Sequence, residues 1–240
     1  MSVTTRIQEL NNRLATNLVS KGVSAEGTET TTELINKVND IESGGTSVIN
    51  PEWTDWRYFS YYNNRNDLVA KLKYSDTANG TDFSNMFYYC TSLTSIPQLS
   101  TSNGKNFSFM FYSCTALTSI PQLDTSNGTN FGYMFNGCRA LTTIPLLNMS
   151  NVSGTSWSNM FYNCTALENV TFEGTIPVRG NMSVFSYSNK LTVKSLMSFI
   201  NALTNMSDTA TYTITIGSTN LAKLTEEQIQ IATDKRITLQ

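Results

Sequence analysis

Apolar residues along most of this chain recur on a fixed beat rather than in isolated amphipathic stretches. Met-Phe pairs stand at 86–87, 110–111, 134–135 and 160–161, each four residues ahead of a cysteine: Cys90, Cys114, Cys138 and Cys164. Phe83, Phe107, Phe131 and Trp157 keep the same step, as do Leu93, Leu117, Leu141 and Leu167, and Ile96, Ile120, Ile144 and Val170. The steps are 24, 24 and 26 residues. A period in the range of roughly 20–50 residues marks a stacked repeat architecture. A solenoid is therefore expected over 59–191, with regular units near 83–180 and degenerate copies at both ends.

One unit, residues 107–130, gives the expected local structure. Its inward set is Phe107, Met110, Phe111, Cys114, Leu117, Ile120 and Leu123. The spacing i, i+3, i+4, i+7 predicts a helical or 3₁₀-like turn over 107–117. Residues 117–123 read as a short strand. Proline has no N–H for a ladder, so Pro97, Pro121 and Pro145 are expected to end each strand. Asn-Gly at 79–80, 103–104 and 127–128 predicts tight turns with positive φ. A single unit leaves both of its faces uncovered, so stacking is obligatory. The fourth unit has two extra residues near 150–154 and Thr171 in place of the proline, and is expected to bulge.

The unit Met-Phe-x-x-Cys-x-x-Leu-x-x-Ile-Pro-x-Leu, with the following Thr-Ser-Asn, resembles the BspA-like (Treponema-type) leucine-rich repeats, strongly over 83–170 and more loosely over 59–192. The resemblance implies an α/β fold with a parallel sheet on one face and short helical turns opposite. It also implies adhesion or ligand binding, as on bacterial surfaces and in bacteriophage tail or fibre proteins.

The ends of the chain leave the beat. Ile7, Leu10, Leu14, Leu18 and Val19 predict an amphipathic helix over 2–20, about 28 Å long at ~1.5 Å per residue. Leu34, Ile35, Val38 and Ile41 predict a second over 31–41. Residues 1–43 therefore read as a helical anchor or oligomerisation segment, and 44–58, opening on Gly44-Gly45, as a linker. The stripe of Ile7, Leu10, Leu14, Leu18, Leu34 and Val38 needs cover, because an isolated helix of this size is marginal in water. The chain's own repeats are one source. The Gly-Gly hinge favours the other: sister chains in a homo-oligomer, with a trimer as one form, or other virion proteins. This opening also resembles the attachment ends of phage fibre proteins. Residues 192–240 read as a small α/β cap, with a helix over 193–206, a strand over 212–216, a helix over 225–234 begun by Thr225, and a terminal strand over 236–239.

Composition narrows the function. Sixteen basic and eighteen acidic residues leave a formal charge of −2 without runs, so neither nucleic acid nor an anionic membrane is an expected partner. No stretch is apolar enough for membrane insertion. The N-terminus lacks a basic start followed by an apolar run, so no export signal is expected. The chain contains no histidine, which removes the commonest general base and metal ligand. The cysteines share one phase and are expected to stack as buried thiols rather than to pair or bind zinc. Asp124, Glu168 and Glu173 stand at different phases and predict no catalytic pair. No enzyme activity and no cofactor are expected.

What is left is surface. Tyr88, Tyr89, Tyr112, Tyr133 and Tyr162 flank the Met-Phe pairs outside the inward set. With Ser95, Gln98 and Gln122 on the sheet, they form a candidate platform for a glycan or protein; packing between coils is the alternative. The expected function is a non-enzymatic virion component, in a tail, baseplate or head fibre, whose repeats bind the host surface. A bacterial surface adhesin or interaction scaffold is the alternative.

Overall fold

The computed structural model describes residues 55–57, 69, 72, 77–207 and 209–240. The helices expected over 2–20 and 31–41, with Ile7, Leu10, Leu14, Leu18, Leu34 and Val38, lie outside the described residues, as does most of the linker.

Alternate backbone N–H groups in the Met-Phe segment reach across to the next unit. Phe83 N donates to Asn106 O, Asn85 N to Ser108 O, Phe87 N to Met110 O and Tyr89 N to Tyr112 O, at 2.8–3.1 Å. The following unit repeats the set, from Phe107, Phe109, Phe111 and Ser113 to Asn130, Gly132, Met134 and Asn136. The intervening N–H groups close i→i+3 turns within the unit, from Met86 to Phe83, Tyr88 to Asn85 and Cys90 to Phe87. Positive φ recurs every fourth residue, at Asn85 (58°) and Tyr89 (60°), Phe109 (58°) and Ser113 (57°), and Tyr133 (59°) and Gly137 (78°). Of the helical or 3₁₀-like turn expected over 107–117, the i→i+3 closures are present, but as a string of turns tied sideways to its neighbours rather than as a continuous helix. A helix would spend its N–H groups internally and leave none to join the units.

The inward set is buried as its spacing requires, from Phe107 through Leu123. Phe83, Phe107 and Phe131 stack with centroids 5.5 Å apart. Phe87, Phe111, Phe135, Phe161 and Phe185 form a second column at 5.2–5.8 Å. The Asn-Gly pairs close the expected tight turns, Gly80, Gly104 and Gly128 N donating to Thr77, Thr101 and Thr125 O at 2.8–2.9 Å, but without the expected dihedral. Gly80, Gly104 and Gly128 do not take positive φ. A Cβ on any of them would fall well inside 3.0 Å of the phenylalanine ring three residues later, so glycine is there to admit the ring. The asparagines tie units together instead: Asn103, Asn127 and Asn151 Nδ2 donate to Ala78, Ser102 and Ser126 O at 2.6–2.8 Å.

All four cysteines are buried thiols. Cys114, Cys138 and Cys164 Sγ donate to Phe87, Phe111 and Phe135 O, each at 3.0 Å, and Ser188 Oγ continues the column by donating to Phe161 O. Burial, reinforced by neighbouring thiols, holds Cys114 and Cys138 well above the usual thiol range; burial pushes Cys164 up to about 12. The folded chain keeps protons that the unfolded chain releases above about pH 8.5. Stability from this source is therefore complete below that pH and falls as the pH climbs toward 12. Iodoacetamide at about pH 8 is expected to spare the native thiols and label them only in denaturant. Intact mass reads the result, and fast labelling of the native chain would contradict the buried column.

Regular strands form beyond the most uniform units. β1 (Thr143–Asn148) pairs parallel with β2 (Asn169–Glu173), with a register irregularity between Ile144 and Leu147. Pro145 lies inside β1, correcting the expectation that proline ends the strand; the irregularity accommodates its missing donor. The two extra residues of the fourth unit fall in the turns around Gly154, where Trp157 Nε1 donates to Gly154 O (3.1 Å) and Pro177 O (3.2 Å). β3 (Ile176–Val178) pairs parallel with β5 (Leu203–Asn205), and β4 (Met182–Ser183), β6 (Tyr212–Thr215) and β7 (Ile237–Leu239) form a parallel sheet in the order β4-β6-β7. α1 (Val193–Ala202) stops short of the expected residue 206, because Leu203 turns extended and starts β5. α2 (Ser218–Leu221) and α3 (Glu226–Asp234) complete the chain. Thr225 begins α3 with a reciprocal cap: its Oγ1 accepts from Gln228 N, and its N donates to Gln228 Oε1. The described residues form a mixed α/β fold of small parallel sheets and few helices, with no closed barrel among them.

Candidate functional site

The tyrosines stand on the turn segments, where the ladder sets one unit's ring over the next. Tyr88 and Tyr112 stack at 4.9 Å with planes 9° apart, and Phe109 and Tyr133 at 4.8 Å with planes 3° apart. Tyr89 leans on Tyr88 and Tyr112 at 5.0 and 5.7 Å. Tyr112 in turn meets Phe109 at 5.7 Å and Tyr133 at 6.5 Å. These five rings form one cluster across three units. Tyr89 is 39% exposed and Tyr133 36%. Within each stack the rings cover one another's faces, so the surface offers ring edges and phenol hydroxyls.

Tyr162, expected on the same platform, stands apart. Ser113 N donates to Asn136 O and Gly137 N to Tyr162 O, so Asn136 occupies the tyrosine position between Tyr112 and Tyr162 and breaks the column. Tyr162 pairs edge-on with Tyr187 at 5.2 Å, and Tyr187 is 62% exposed. Phe109 and Tyr187 are the members that sequence reasoning missed. Phe109 lies one 24-residue step before Tyr133, a signal that was available.

Backbone conformation separates these rings from ordinary surface aromatics. Tyr89, Phe109, Tyr133 and Tyr187 all have φ between 58° and 65°, a region that bulky L-residues rarely enter and that costs about 1 kcal/mol or more each. The conformation recurs at two phases of the repeat: Asn85 and Asn159 share that of Phe109 and Tyr133, and Ser113, Gly137 and Asn163 share that of Tyr89 and Tyr187. The aromatic rings are kept there against the local conformational preference.

Gln98 and Gln122 lie elsewhere. They line a groove of about 580 Å³ with Asp124, Leu146, Asn148 and Glu173, and no tyrosine lines it. Ser95 is exposed but belongs neither to this groove nor to the ring cluster. The single platform expected from sequence is thus two surfaces, because the turn and strand parts of each unit carry their outward residues separately. Asp124 and Glu173 also share a phase, contrary to expectation. Asn148 pairs with Glu173 in the β1–β2 register, and Thr101 and Thr125 Oγ1 donate to Asp124 and Asn148 O respectively. Asp124, Asn148 and Glu173 therefore form one column. The uneven step after Asn148 hid this in the sequence. Among the described residues no three or more Cys, Asp or Glu side chains gather as a metal site would need, and no helix is long and apolar enough to cross a membrane.

A family model described as "Mycoplasma protein of unknown function, DUF285" matches residues 57–175 and again 81–199. The second match is displaced from the first by 24 residues at both ends, which is one step of the repeat. No curated protein and no solved structure matches the chain.

Proposed function

Because the chain belongs to the family described as Mycoplasma protein of unknown function, DUF285, a BspA-like repeat family, we propose that it is a binding protein rather than an enzyme, its repeats forming a leucine-rich-repeat solenoid that engages a surface glycan or protein. One observation carries this reading: the Tyr88, Tyr89, Phe109, Tyr112 and Tyr133 cluster, three of whose rings sit on left-handed backbone. Rigid aromatic side chains with polar tips are the usual anchors of recognition surfaces. In this reading residues 1–43 assemble the chain with copies of itself or with other virion proteins, 44–58 hinge, and 192–240 cover the last repeat. The setting is a virion, in a tail, baseplate or head fibre, with the repeats turned toward the host surface. The family description, which names Mycoplasma proteins, favours the second reading, a bacterial surface adhesin or interaction scaffold.

Tyr133→Gly tests the first claim, because glycine relieves the strained φ while removing the ring. On a glycan array and on envelope fractions, retention of the full chain is expected to fall about tenfold or more, with the thermal midpoint shifted by only a few degrees. Unchanged retention would assign the rings to packing. Sedimentation of the full chain reports the second claim: a defined oligomer is expected, and a monomer would remove the assembly role.

A further inference from the structure

We propose that the groove carrying Gln98, Gln122 and Leu146 is a binding site for a linear alkyl diammonium, the polyamine class of cation. This groove is separate from the aromatic surface. Its hydrogen-bond donors are turned inward, onto the protein's own acceptors. Gln98 Nε2 donates to Gln122 O (2.6 Å) and Leu99 O (3.3 Å). Gln122 Nε2 donates to Leu146 O (2.7 Å) and Leu123 O (2.8 Å). Both amides have spent their two hydrogens on backbone, and their oxygens are left as acceptors. The hydroxyls of Thr101, Thr125 and Ser126 donate to Asp124 O, Asn148 O and Asp124 Oδ1. Asn148 Nδ2 donates to Glu173 Oε2 at 3.3 Å, and its second hydrogen is the one side-chain donor of the groove not committed among the described residues.

The groove therefore presents acceptors and apolar surface and almost no donors. Its complement is a ligand rich in N–H, poor in acceptors and partly aliphatic. Charge points the same way. Asp124 and Glu173 are both exposed, and no ion pair reaches either among the described residues. They stand two steps apart in one column, about 10 Å at ~4.8 Å per strand spacing, with Asn148 between them. That separation is too great for both to ligate one metal ion, whose oxygen ligands lie at about 2.0–2.6 Å. Two ammonium groups joined by an alkyl chain span it, with the chain lying over Leu146, which is 39% exposed. A volume of about 580 Å³ lies within the usual range for small-ligand sites.

Calorimetric titration of the full chain with hexane-1,6-diamine at low ionic strength tests this. One saturable site is expected, weakened about tenfold or more by Asp124→Asn or by Glu173→Gln, and weakened again in about 0.5 M salt. Hexylamine, with one ammonium, is expected to bind more weakly than the diamine. Both substitutions are isosteric and exposed, and Asp124→Asn keeps an acceptor for Ser126, so thermal midpoints are expected to stay put and loss of binding is not loss of fold. Absence of saturable binding, or equal binding by both variants, would overturn the assignment. So would a trilysine peptide that binds where the diamine does not, which would make the groove a peptide site.

Discussion

Phe111→Ala is expected to lower the unfolding free energy by about 4 kcal/mol, among the largest effects of a single truncation in the repeats. Phe111 is fully buried. Its ring lies between Phe87 and Phe135 at 5.3 and 5.4 Å, near parallel to both. Truncation therefore removes two aromatic contacts, each worth about 0.5–1.5 kcal/mol beyond burial, and opens a void at the centre of the column. Neighbouring units cannot close over the void, because their backbones are held apart at fixed spacing on both sides of it, by Phe87 N to Met110 O and Phe111 N to Met134 O. Urea unfolding followed by circular dichroism measures the loss, with an unchanged denaturant slope as the check on cooperativity. A loss below about 2 kcal/mol would mean that the column relaxes more readily than a pinned ladder allows.

Gly128→Ala is expected to cost about 3 kcal/mol, by overpacking rather than by backbone strain. Gly128 does not have positive φ, so alanine suits its backbone and would ordinarily stabilise by about 0.4–1 kcal/mol through the unfolded state. The obstacle is the Phe131 ring, two of whose edge carbons would lie 2.9 Å from the new methyl group, with the ring tip nearer still. Phe131 cannot swing away, since Phe107 stacks on it at 5.5 Å. Adding Phe131→Leu to Gly128→Ala is expected to cost less than the two single changes together, by about 1 kcal/mol or more, the mark of a direct contact. A stabilising Gly128→Ala would show that the ring does not need the glycine.

The buried columns were legible in the sequence because their phase is stated four times over. Phe107, Met110, Phe111, Cys114 and Leu117 follow from the beat alone, and so does Thr225 as a helix cap. The turn segment is only partly legible, because apolar spacing i, i+3, i+4, i+7 fits a helix, a 3₁₀-like turn and a run of i→i+3 turns alike. What separates them is the destination of the backbone N–H, and side-chain pattern carries no record of that. Asn-Gly implies dihedral freedom, yet here each residue of the pair answers to a neighbour: Asn127 to the Ser102 carbonyl of the preceding unit, Gly128 to the Phe131 ring. Pro145 inside β1 escaped because an irregular register is invisible before strands are paired. At the candidate sites, the sequence picks out the tyrosines but not their grouping. The stacking of Phe109 on Tyr133 and the interruption at Asn136 required the phase to be followed for polar and apolar positions alike. Asp124 and Glu173 needed the extra residues of the fourth unit to be placed before their shared column emerged.

The even step of the ladder has a consequence for how such a chain can change length. Asp82, Asn106 and Asn130 bridge in series, so residues 83–106 and 107–130 meet their surroundings through equivalent junctions. Excising 107–130 would bring Phe87 against Phe135, Cys90 against Cys138 and Leu93 against Leu141, like against like. Duplication or loss of 24 codons thus lengthens or shortens the molecule by one increment while keeping each seam chemically familiar. The 26-residue step between Met134 and Met160 is where that interchangeability stops.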